Sequence, residues 1–83
     1  MADELQSQVI AIVQDTLREE GDRDDLVVMP ESSMDTVAEW DSMSFMKVFL
    51  AINEAYGINP DFDEAIHYTS ISTLTDFLRN ETA

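Results

Sequence analysis

Leu5, Val9, Ile12, Val13 and Leu17 recur at helical spacing, with glutamines and acids between them. That rhythm puts them on one face of an α-helix. Asp3 is placed to cap this helix, and Gln6 three residues on completes a capping box. Gly21 follows the last periodic residues as a natural stop. The pattern predicts helix 1 from Glu4 to Glu20.

From Gly21 to Asp41 the rhythm breaks. "LVVMPE" is a short β-like run, but Pro30 and the lack of a second strand argue against a strand. A long loop is expected, with Leu26, Val28 and Met29 packed down on the bundle and one helical turn in "TVAEW".

The helical pattern resumes in "EWDSMSFMKVFLAI", which begins at Glu39. Helix 2 is predicted from Ser42 to about Tyr56, with Gly57 ending it. Phe45, Val48, Phe49, Ile52 and Tyr56 form one apolar stripe. At about 100° per residue, Met43, Met46 and Leu50 fall on a roughly opposite arc. One greasy face suits the core, and the other needs a different explanation. Asp61 with Glu64 makes a second capping box before a short helix 3, Phe62 to His67. Helix 4 starts at Thr69 or Ser70, buries Ile71, Leu74, Phe77 and Leu78, and ends near Arg79 or Asn80. The expectation is a single all-α domain over residues 1–83, a small four-helix bundle with three longer helices and one short one.

Composition sharpens this picture. Eighteen acids against four basic residues give a net charge of −14, which repels nucleic acid and anionic membranes and attracts basic surfaces. A 45% hydrophobic content with clear periodicity argues for a folded domain rather than a disordered one. There is no cysteine, so the chain supplies no thiolate or disulfide, which suits a cytoplasmic protein. "MADELQSQ" lacks the layout of a signal peptide, and no apolar run approaches a membrane span.

Ser42 is the residue with two readings. Serine is a favoured N-cap, and residue type alone favours that role. A phosphate ester there would also sit at a helix N-terminus, where free N–H groups favour an anion. Asp41 is then a like-charged neighbour, able to engage a basic residue or metal of a modifying enzyme. Trp40 is expected to anchor the end of the loop. Met43, Met46 and Leu50 resemble a recognition patch, since methionine adapts to several partners.

Other chemistries fit poorly. His67 is the only histidine, and nothing in the sequence places it near Ser42 for a hydrolytic triad. The acid runs "DRDD" and "DFDE" fail as EF-hand loops. The required glycine and glutamate positions hold Val27 and Ser33 in one, and Ile66 and Ser72 in the other. No zinc ligand cluster, P-loop or dinucleotide fingerprint is present.

"WDSM", a helix ending in "NEAYGI", a short acidic helix and "TSISTLTDFL" together resemble an acyl carrier protein. The likeness runs from helix 1 to Leu78. It implies that Ser42, flanked by Asp41, receives a 4′-phosphopantetheine arm from coenzyme A through a phosphopantetheinyl transferase. The arm's thiol would hold an acyl or aminoacyl group. Partners would be an activating ligase or acyltransferase and a downstream transferase or synthase. The protein itself would be a cytoplasmic, monomeric non-enzyme. Met43, Met46, Lys47, Leu50 and Glu54 would meet these partners.

The family's second helix is usually acidic, yet Lys47 stands where an acid is expected and only Glu54 follows. Much of the negative charge lies in Asp22, Asp24, Asp25, Glu31, Asp61, Asp63 and Glu64. That departure points to a specialised carrier rather than one for general fatty acid synthesis. The alternative is an unmodified acidic adaptor of the same fold.

Overall fold

In the computed structural model, helix α1 spans Glu4–Gly21, α2 Phe45–Ala55 and α3 Ile71–Thr82. A single 3₁₀ turn, Ala65–His67, precedes α3. The structure describes residues 4–21, 24–59, 63 and 65–82, with Thr82 described by its backbone alone. Among the described residues, three α-helices and a 3₁₀ turn therefore stand where four helices were expected. The proposed caps Asp3, Asp61 and Glu64 lie outside the described residues, as do Phe62 and Asp22.

Helix α1 packs against both α2 and α3. Its Val9, Val13 and Leu17, spaced four apart, are fully buried. They meet Val48, Phe49 and Ile52 of α2 and Ile71, Leu74 and Leu78 of α3 in one core. Such spacing is the reason these segments are helical, since each gains most of its stability by burying one stripe. An aromatic cluster closes the far side. Tyr68 stacks on Phe49 with ring centroids 5.7 Å apart and leans on Phe77 at 4.7 Å.

Two helix ends follow local rules. Gly57 adopts φ +66, and its N–H donates to Glu54 O at 3.3 Å while Ile58 N–H donates to Asn53 O at 2.9 Å. This is the paired C-terminal bonding that a left-handed glycine permits. Helix α3 opens on Ser70, one of the two starts expected, and runs to Thr82, beyond the end expected near Arg79 or Asn80. Ser70 N–H donates to Thr73 Oγ1 and Thr73 N–H donates to Ser70 Oγ, each at 3.1 Å. Gly21, by contrast, is the last residue of α1 and has no positive φ.

The long loop is ordered by polar groups on α1. Gln14 Oε1 accepts the Val28 N–H at 3.0 Å, and Arg18 Nε donates to Leu26 O at 2.7 Å. These bonds satisfy backbone groups that a buried loop would otherwise leave unpaired. Leu26 and Val28 are buried as expected, but Met29 is 48% exposed. In an extended run successive side chains face opposite ways, so Met29 and Val27 point out while Leu26 and Val28 point in. "TVAEW" forms hydrogen-bonded turns without becoming a helix. An isolated bridge between Ser33 and Ser70 then ties the loop to the start of α3.

Candidate functional site

Trp40 is fully buried and Ser44 is 4% exposed, while Asp41, Ser42 and Met43 between them all lie in solvent. The indole holds one end of this short segment in the core, and Ser44 holds the other. Ser42 therefore sits on an outward corner fixed at both sides.

Ser42 is expected to cap helix 2, but Ser44 directly precedes α2, and the side chain that takes the free N–H groups of the lead-in turn is Asp41. Asp41 Oδ1 accepts the N–H of Met43 at 2.9 Å and of Ser44 at 3.1 Å. Phe45 N–H donates to the Asp41 carbonyl at 2.9 Å, so the turn runs directly into α2. A short carboxylate can hold both N–H groups at once and also suits the positive helix end. Helix 2 thus begins at Phe45 rather than Ser42, with the turn from Asp41 as its lead-in. None of the hydrogen bonds among the described residues engages the Ser42 side chain.

The N–H groups of Ser44 and then Met43 hold the Asp41 carboxyl below the ordinary carboxylate range. Asp41 is accordingly ionised at neutral pH, with its charge already engaged by backbone donors. A depression of about 310 Å³ opens beside this turn, lined by Glu20, Gly21, Glu39, Asp41, Met43 and Ser44. A second, apolar depression of about 200 Å³ is lined by Met34, Phe45, Ile66 and Thr69.

The structure divides the expected Met43–Met46–Leu50 arc. Met43 is 83% exposed and Leu50 36% exposed, but Met46 is half-buried and packed against the core. The arc holds only for a helix continuous from Ser42, whereas Met43 belongs to the preceding turn. Lys47 and Glu54 are exposed on α2, and Lys47 pairs with Glu20. His67 is exposed, meets the Tyr68 ring edge-on at 6.4 Å and has no hydrogen bond to Ser42. Ser44, Glu20 and Glu39 line the depression beside this turn and are not among the residues the sequence singles out. The Asp-x-x-Ser spacing at Asp41 and Ser44 was the available signal, a capping box with its usual partners exchanged.

The family model for the phosphopantetheine attachment site matches residues 7–78. The chain belongs to that family. Phosphopantetheine-attachment domains are carrier domains that hold 4′-phosphopantetheine covalently, in keeping with the acyl carrier resemblance. No curated protein and no solved structure matches the chain. The site fits the group on its own chemistry. It presents an exposed hydroxyl with no hydrogen-bond partner among the described residues, and the adjacent carboxylate is occupied by two N–H groups. Among the described residues, no helix is long and apolar enough to cross a membrane.

Proposed function

We propose that this chain carries an acyl or aminoacyl group as a thioester on 4′-phosphopantetheine joined to Ser42, and delivers it between partner enzymes. The observation that supports this most is the outward Ser42 hydroxyl, free of partners and set between buried Trp40 and Ser44. When bound, the arm supplies the thiol that a cysteine-free chain lacks. The chain's own residues present and release the cargo without catalysing a reaction.

In this reading Asp41 shapes the corner on which Ser42 stands. Met43 and Leu50 offer partners an apolar contact, with Met46 beneath and Lys47 and Glu54 at its rim. A patch this small favours brief docking, which a carrier visiting several enzymes in turn requires. The tether then concentrates cargo at whichever enzyme is docked. The sparse acidity of α2 favours dedicated partners over those of general fatty acid synthesis.

Co-expression with a broad-specificity phosphopantetheinyl transferase tests this reading by intact mass. The wild-type chain gains the arm, peptide mapping places it on Ser42, and Ser42→Ala gains nothing. An unmodified wild-type chain would instead support the adaptor alternative. Labelling of Ser42 by a reactive-serine probe would support a hydrolase.

A further inference from the structure

Ser44 is a buried hydroxyl two residues beyond the proposed attachment point, and the carrier role as stated does not use it. Its Oγ accepts the Asp41 N–H at 2.9 Å and donates to the Glu39 carbonyl at 2.7 Å. A hydroxyl has one proton, and the short bond to Glu39 takes it. The 3.3 Å approach of Oγ to Asp41 Oδ1 is therefore not a second donated bond. In return, Asp41 Oδ1 accepts the Ser44 N–H at 3.1 Å.

These bonds close a ring from Asp41 to Ser44 and back, and Ser42 lies inside it. The Ser42 backbone is thereby held in place although its side chain makes no hydrogen bond among the described residues. We infer that Ser44 is a positioning residue for the modification of Ser42, presetting the corner that a transferase must recognise. This rests on Ser42 being the attachment residue.

The packing separates this role from folding. Helix α2 is held by buried Val48, Phe49 and Ile52, none of which depends on the Ser44 hydroxyl. The Asp41–Ser44 bond is part-buried beside an open depression lined by Glu39, Asp41 and Ser44, which gives water a route to the N–H once Oγ is gone. The loss then falls on the fraction of molecules with the corner preformed. Apparent affinity drops by that fraction, while the bound and ordered state reacts as before.

The test is steady-state phosphopantetheinylation of the full chain with coenzyme A and a broad-specificity transferase. Ser44→Ala should raise KM for the carrier roughly five- to tenfold, the shift expected from losing one or two hydrogen bonds. It should leave kcat within about twofold. Ser44→Thr keeps a hydroxyl and should restore most of the affinity. Amide hydrogen exchange of the unmodified wild type should show a protected Asp41 N–H, lost in Ser44→Ala while the Phe49 and Ile52 amides stay protected.

An unchanged KM in Ser44→Ala, or open-chain exchange of the wild-type Asp41 amide, overturns the inference. The wild-type exchange needs no variant, so it can overturn the inference even if Ser44→Ala fails to fold. A wild type that never gains the arm on Ser42 sinks the carrier reading and this inference together. A modified wild type with normal KM in Ser44→Ala sinks this inference alone.

Discussion

Lys47 reaches back to Glu20, its ammonium 2.8 Å from one carboxylate oxygen and 3.0 Å from the other. The pair ties the outer face of α2 to the last turn of α1. It also pairs the one cation of α2 with an acid from the same chain.

Both side chains are partly exposed, at 60% and 33%, so the pair is worth little to stability. A double-mutant cycle of Lys47→Ala with Glu20→Ala should give a coupling of about 0.2–1 kcal/mol by denaturant unfolding. In about 1 M salt, where charges are screened within roughly 3 Å, the coupling should shrink. A coupling insensitive to salt would show that the two residues act through packing.

Asp41 sets the acid response of the site. Its folded carboxyl titrates below the ordinary value because the Ser44 and Met43 N–H groups favour the charged form. The cap's contribution to stability is therefore full above the unfolded pKa of about 3.9 and is lost as pH falls through the lower folded value. Carboxyl NMR titration should place Asp41 below that figure. Asp41→Asn keeps an acceptor and should flatten this part of the stability–pH curve.

Gly57 adopts φ +66, and an added Cβ would meet nothing within 4 Å. The cost of Gly57→Ala is then purely conformational, about 1–2 kcal/mol by thermal or urea unfolding. Gly57→Asn should cost less, since asparagine tolerates this region better.

Trp40 carries the core at the foot of the site. Trp40→Ala should destabilise by about 3–5 kcal/mol in urea unfolding followed by circular dichroism. Trp40→Phe should cost clearly less. It keeps most of the ring and removes an indole N–H that is buried without a partner among the described residues.

Met43→Glu is the cleaner probe of the proposed docking patch, because Met43 is open to solvent. It should slow cargo transfer from a partner enzyme while Tm stays within a few degrees. Met46→Glu places a charge against the core and should lower Tm as well. Equal transfer rates for Met43→Glu and wild type would remove that residue from the patch.

Several features were legible because they depend on neighbours in the chain. The four-residue spacing of Val9, Val13 and Leu17 marked α1 and the face it buries. Ser70 and Gly57 marked helix ends through their own side-chain and backbone chemistry. The "WDSM" segment indicated the family only together with "NEAYGI", "TSISTLTDFL" and the order of helices in an acidic chain of this length.

What escaped depended on partners distant in sequence or on choices between adjacent residues of similar capping ability. Gln14 and Arg18 looked like ordinary polar positions of α1, yet they bind the backbone of the loop. Asp41 and Ser42 are both good caps by residue type. The folded chain settles between them by burying Trp40 and Ser44, which turns the Asp41 carboxylate onto the backbone and Ser42 outward. Local periodicity and capping preference act over a few residues and can be read along a line. Which of two neighbouring side chains faces water is decided by how the buried groups on either side pack, and that exists only in three dimensions.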